Sequence, residues 1–322
     1  MLTLLPDKLM EKASPPTQPK AGHGGSNYMY KNIKSYSSGD TEKDYWLFHP
    51  SDSTILEAPV VLFLHGYSAY NPMVYGKWIK HLALKGNIVI FPRYQKGMFG
   101  TSPKEFVSNT KIALDNALAY LDKEEAVKYN GKPISIVGHS FGGAITANML
   151  TKWDSLNLPE VKSAFLVSPG TGPMKKFVLD TYADILSDVE VAIIISEEDY
   201  VVGDGFGVHV FNTATNTKNR ILFKQYKDSH GSPEISAGHL ESYSPDAELD
   251  SGEHGYSYKR AKTAKTDAVD FFGYWKIFDA LSNDRIEMQK DTSIFEATTD
   301  ISFMGLWSDN TPVKPLKIYR PQ

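Results

Sequence analysis

The sequence predicts an α/β protein built on a doubly wound, mainly parallel sheet with helices on both faces. Short, near-continuous apolar runs such as "APVVLFLHG" (58–66), "NIVIFPRY" (87–94) and "VEVAIIISEED" (189–199) have the pattern of strands covered on both sides. Segments of helical periodicity separate these runs, and strand–helix–strand spacing of this kind implies right-handed crossovers and parallel pairing. The third observation is the bulk composition. A chain of 322 residues, 41% hydrophobic and 22% charged, suits one domain with a sizeable core.

Taken in chain order, residues 1–28 turn Pro/Gly-rich between Ser14 and Ser26 and are expected to form a flexible leader. They lack a basic region followed by a long apolar stretch, so they do not read as a signal peptide. Such leaders follow an anchor or signal in exported proteins, and frayed cytoplasmic termini look the same. An exported (periplasmic or secreted) and a cytoplasmic location therefore both stay open. Residues 29–322 are read as one domain. Alternation around Ser38-Gly39-Asp40 predicts a hairpin. A helix is expected over about 73–85, carrying Val74, Trp78, Ile79, Leu82 and Ala83 on one face, and an amphipathic helix over 103–130, with Phe106, Ala113, Leu114, Ala117 and Leu121. Strand "PISIVG" leads to a helix over 142–152, strand "SAFLVSP" to a helix near 175–186, and strands end at Asp199 and Asp228. From about 229 to 267 the chain is a polar excursion. "AVDFFGYWKIFDAL" (268–281) then reads as an apolar helix whose aromatics belong in the core.

Composition excludes several function classes. Net charge is −4 with both signs interspersed, so no basic field exists to attract nucleic acid or anionic lipid. With no cysteine there are no disulfides, thiolate metal sites or cysteine nucleophiles. No apolar run reaches the roughly 20 residues of a membrane span. No cofactor or metal is expected. Asp246, Glu248 and Asp250 alternate like calcium ligands, but Ser251 stands where such a loop needs glycine, so a solvated loop is the expectation.

The chemistry-bearing motif is Gly138-His139-Ser140-Phe141-Gly142, which fits G-x-S-x-G between a strand and a small-residue helix. In that setting the serine occupies a sharp turn at the carboxyl end of a strand, and the glycines make room for it. A serine hydroxyl needs a base. His230, in "KDSHGSP" just past the last strand, is the expected base; His239 is the competitor and His254 a further one. The base needs a carboxylate to hold its tautomer. "AIIISEEDYVVGD" (192–204) offers Asp199 first, with Glu198 and Asp204 as alternatives. Two N–H donors are needed for an oxyanion. Phe141 N–H, directly after the serine, is one, and Tyr67 N–H, in "HGYSAY" after an early strand, is the other. Tyr67, Tyr70 and His139 are expected to line the substrate site, with Met98 and Phe99 as further candidates for an apolar wall.

At this point the constellation resembles the α/β-hydrolase family over about 45–281, and more narrowly its exported bacterial chlorophyllase- or dienelactone-hydrolase-like esterases. The resemblance implies Ser140 as nucleophile, 65–67 as an oxyanion loop, 198–202 as the acid loop and 229–231 as the histidine loop. It departs from the family in the 92 residues that follow His230. The activity expected is hydrolysis of a small-molecule carboxylic ester through an acyl-enzyme. Two alternatives use the same fold: a catalytically silent binding protein, and an acyltransferase or perhydrolase with the same triad.

Overall fold

The structure is a computed structural model that describes residues 12–51, 57–124, 127–282, 294–295 and 301–321. Among the described residues, eleven strands and six α-helices run in the order β1 (Ile33–Ser37), β2 (Tyr45–Pro50), β3 (Glu57–Ala58), β4 (Val60–Leu64), α1 (Gly76–Leu84), β5 (Ile88–Pro92), α2 (Phe106–Lys123), β6 (Lys128–Tyr129), β7 (Ile134–His139), α3 (Phe141–Thr151), β8 (Val161–Val167), β9 (Glu190–Ser196), α4 (Gly205–Thr213), β10 (Arg220–Gln225), α5 (Tyr256–Ala261), α6 (Trp275–Ser282) and β11 (Lys317–Tyr319). Nine strands form one sheet in the order β1-β2-β5-β4-β7-β8-β9-β10-β11. β5, β4, β7, β8, β9 and β10 are parallel. β1, β2 and β11 add antiparallel edges.

Alternation along the central strands divides their side chains between two cores. Leu62, Leu64, Ile136, Leu166 and Ile193 face α2, α3 and α4. Val61, Phe63, Val137, Phe165 and Ile194 face α1 and α6. Both sets are essentially without solvent exposure, which is why these strands read as continuous apolar runs rather than alternating ones. Of the aromatics expected in the core, Tyr274, Trp275 and Phe278 are buried and Phe271 and Phe272 half-buried against it, and a π-helical stretch at Val269–Tyr274 precedes α6.

Three expectations change. Only a short 3-10 turn (Lys175–Phe177) forms where a helix was expected over 175–186. Carbonyls in and just after it serve tertiary partners instead, with Phe177 O accepting from Asn148 and Leu179 O from His209. Between β9 and β10 stands α4, which Gly205 and Gly207 obscure in the sequence. The amphipathic segment expected to run to 130 is helical only as far as Lys123. As for the leader, residues 1–11 lie outside the described residues. Residues 12–28 lie against the body, where Gly24 N–H donates to the buried Asp279 carboxylate and Ser14 N–H to Ser308.

The polar excursion is also tied down. Ser244 accepts from the Lys77 and Trp78 backbone, Lys80 pairs with Asp246 and Glu248, and Arg93 pairs with Glu253 at 2.7 Å. Asp250 accepts from Asn71 and contacts His254. Of the three alternating carboxylates, Asp246 and Glu248 thus share Lys80, while Asp250 faces Asn71 and His254.

Candidate active site

Ser140 joins β7 to α3 with φ 55° and ψ −120°, a backbone geometry that costs an L-residue energy and persists only where its surroundings enforce it. Neighbouring glycines make it feasible. A Cβ at Gly138 would collide with the Gly142 carbonyl and the Thr146 hydroxyl, and one at Gly142 with the carbonyls of Leu64 and His65. Ser140 N–H donates to Val167 O, and its own carbonyl accepts from Gly143 and Gly170. The turn is therefore clamped between β8 and the loop that follows it, with the hydroxyl above the carboxyl ends of the strands.

The imidazole beside that hydroxyl belongs to His239, not His230. His239 Nε2 lies 2.8 Å from Ser140 Oγ, and its Nδ1 lies 2.7 Å from Asp199 Oδ2. His230 instead pairs through Nε2 with Asp309 at 2.7 Å and packs near Trp307. After β10 the chain makes a side turn in which Asp228 and Ile235 bridge antiparallel, and this turn carries His230 out under the C-terminal tail. The chain then returns alongside the acid loop: Gln225 donates to Ser236 O, Glu198 N–H to Ala237 O, and Gly238 bridges Glu198. That return is what sets the next residue, His239, over Asp199 and Ser140. His254, the third candidate, is exposed and stacks on Tyr258.

Asp199 is where the sequence expected the carboxylate. Its Oδ1 accepts from Val201 and Val202 N–H at 3.0 Å each, leaving Oδ2 for His239. Burial works to raise this carboxyl, yet donation from His239 and the two backbone N–H groups hold it below its ordinary value, so it is the anion. The alternatives face elsewhere, Glu198 towards Lys227 and Asp204 towards Lys224.

Phe141 and Tyr67 meet at the same place. Phe141 N–H opens α3, where helix N-termini leave donors unpaired. Among the described residues neither Phe141 N–H nor Tyr67 N–H has a protein acceptor. The loop carrying Tyr67 is held on both sides, by Gly66 N–H donating to Tyr75 Oη at 2.9 Å and Ser68 N–H to Gln95 Oε1 at 2.8 Å. The Tyr67 ring packs near Phe106 and Phe141, and its hydroxyl donates to Met98 O. Tyr70 sets its ring edge on His65 and its hydroxyl beside Gly255.

His139, expected to line the substrate site, is instead buried behind it. Its Nδ1 contacts Tyr75 Oη at 2.8 Å and its Nε2 the His239 carbonyl at 2.9 Å. Burial and then the neighbouring His239 push this ring down to about 3. Tyr75 and Gln95, which brace the 65–68 loop, were not singled out from sequence. Nothing in a tyrosine 64 residues before the serine loop signals that contact.

Exposed apolar side chains flank residues of the site along the chain: Phe99 follows Met98, Tyr200 and Val201 follow Asp199, and Tyr256 precedes Ser257 at the start of α5. Met98 accepts from Tyr67, and Ser257 donates to Tyr67 O. No helix among the described residues is long and apolar enough to cross a membrane.

No curated protein matches the chain. The model of the family described as Chlorophyllase, a family of ester-hydrolysing α/β hydrolases, does match it over residues 23–223. That span includes β1 to β9, the first part of β10, the serine turn and the acid loop, and stops short of His239. With more than half its length matched and its sheet mostly parallel with helices on both faces, the chain belongs to the chlorophyllase family of the α/β-hydrolase superfamily.

Proposed function

We propose that the protein is a serine esterase that cleaves a carboxylic ester by two-step acyl transfer. The single observation carrying this reading is the continuous contact Asp199–His239–Ser140, with both links at 2.7 to 2.8 Å. His239 Nδ1 bears a proton toward the Asp199 anion, so Nε2 presents its lone pair to the Ser140 hydroxyl. Ser140 Oγ attacks the ester carbonyl as its proton passes to Nε2. The oxyanion that forms is met by Tyr67 N–H and Phe141 N–H, aided by the α3 N-terminus. Collapse breaks the C–O bond, and the leaving alcohol takes the proton from His239. Water then gives a proton to His239 and attacks the acyl-enzyme, releasing the acid and restoring the Ser140 hydroxyl.

The apolar residues bordering the site favour an ester with a large apolar part. Phe99 is 91% exposed and Tyr200 88% exposed, so covering either ring with an apolar substrate group would be favourable. The test is hydrolysis of p-nitrophenyl esters of increasing acyl length by the intact chain and by Ser140→Ala. Activity that rises from acetate to octanoate and disappears in the variant supports the reading. Undiminished turnover by the alanine variant removes it.

A further inference from the structure

Four hydrogen-bonding groups behind the site form one unbroken chain. Gly66 N–H donates to Tyr75 Oη at 2.9 Å, Tyr75 Oη meets His139 Nδ1 at 2.8 Å, and His139 Nε2 meets the His239 carbonyl at 2.9 Å. Its direction follows from donor inventory alone. A backbone carbonyl can only accept, so His139 Nε2 carries the ring proton. Nδ1 of a neutral ring is then an acceptor, and the Tyr75 hydroxyl must be its donor, leaving the oxygen's lone pairs for Gly66. Burial keeps the Tyr75 phenol protonated, with its pKa well above 10, and holds the His139 ring neutral, at about 3. Every link is thus single-valued across the working pH range.

We infer that Tyr75 and His139 are positioning residues that couple the oxyanion loop to the histidine loop, so that Tyr67 N–H and the His239 imidazole are set relative to Ser140 together. This rests on the acyl-transfer reading above and goes further, because neither residue touches the reacting atoms. One end of the chain holds the His65–Gly66 peptide, one before the peptide that carries Tyr67 N–H, and the other holds the carbonyl of His239. Both loops otherwise come from distant sequence, 173 positions apart. His139 is covalently next to Ser140, so the nucleophile, the base and the oxyanion donor share one reference point. Packing leaves little slack. The Tyr75 and His139 rings are 5.8 Å apart, both lie against Tyr243, and a Cβ at Gly66 would sit 3.0 Å from His139 Nδ1 and 3.3 Å from Tyr75 Oη.

Tyr75→Phe tests this cleanly, since the ring contacts with Phe63, Phe91 and Tyr243 survive while the hydroxyl is removed. His139→Gln keeps a donor for the His239 carbonyl and cannot complete the link to Tyr75. The measurements are kcat/KM on p-nitrophenyl butyrate, Kd for an alkyl boronic acid that forms a tetrahedral adduct on Ser140, and Kd for butyrate as a ground-state ligand. All are normalised to the fraction that reacts with a fluorophosphonate. Each single variant should lose about 10- to 50-fold in kcat/KM, less than the 10²–10³-fold cost of deleting an oxyanion donor outright. Boronate affinity should fall by the same factor while butyrate affinity stays within twofold. The double variant should lose no more than the weaker single, because one chain can be broken only once.

A reactive wild type whose single variants stay within twofold overturns the coupling alone. So does a double variant whose losses multiply, or a loss shared equally by butyrate. A wild-type Ser140 that fails to react with the fluorophosphonate defeats the acyl-transfer reading, and the coupling with it.

Discussion

Replacing each of two histidines separates the sequence's expectation from the arrangement in the fold. His239 stands 2.8 Å from Ser140 Oγ and 2.7 Å from Asp199, nearly without solvent exposure. In His239→Ala no other side chain among the described residues hydrogen-bonds the serine hydroxyl, and the Asp199 anion loses its imidazole partner. Removing one member of such a unit costs on the order of 10⁴–10⁶-fold in kcat. His230 contacts Asp309, and its side chain is 39% exposed against 47% for the aspartate. Exposed pairs of this kind contribute little to stability. His230→Ala should therefore keep kcat/KM within twofold and move the melting temperature by no more than about 2 °C. Steady-state hydrolysis of p-nitrophenyl butyrate alongside a thermal melt reads both quantities. Equal loss in the two variants, or a working His239→Ala enzyme, would refute the assignment of the base.

Further consequences follow from the buried carboxylates. Asp199→Asn should lose about 10⁴-fold in kcat with little change in melting, because the amide cannot hold the same His239 tautomer; a loss under tenfold would contradict this, measured by esterase rate. Asp270 is fully buried beside Asp267 and Glu241, and burial raises its carboxyl well above 3.8. The folded state thus binds a proton that the unfolded chain releases, so this group's contribution to stability is greatest below about pH 4 and is lost as pH rises through the raised value. Asp270→Asn should flatten that decline and raise the melting temperature at pH 7 by a few degrees; an unchanged slope in melts taken from pH 4 to 8 would contradict it. Asp279 pairs with His81 at 3.0 Å and accepts Gly24 N–H, both inside the core. Asp279→Ala leaves these groups unpaired and should cost about 3–5 kcal/mol, with early proteolytic cleavage near residues 18–28; wild-type melting and cleavage would count against it. Burial works to raise that carboxyl and His81 holds it low, so its contribution is present above its unfolded value and is lost as pH falls through the folded one.

What could be read from sequence follows a physical divide. Strands β4, β5, β7, β8 and β9 were legible because a strand buried on both faces must be a continuous apolar run, and Ser140 because no ordinary turn places a serine between glycines at the end of one. Asp199 was legible because it directly follows such a strand. The base was not. The distance from β10 to the site depends on a side turn whose partners, Trp307, Asp309 and Lys314, come from the far end of the chain. His139 was misread for a related reason: the contact that turns it away from substrate is with Tyr75, brought close only by the packing of α1 under the sheet. β11 is three residues long and pairs with a strand nearly a hundred positions earlier, so no local pattern announces it.

The most direct test of the triad is covalent. The intact protein, and His239→Ala beside it, would be treated with a fluorophosphonate, weighed by mass spectrometry, and the adduct mapped by peptide sequencing. A single adduct on Ser140 in the wild type, forming at least a thousandfold more slowly in His239→Ala, is the expected result. A folded wild-type protein that takes no label, or takes it at another residue, would contradict an activated serine at the head of α3.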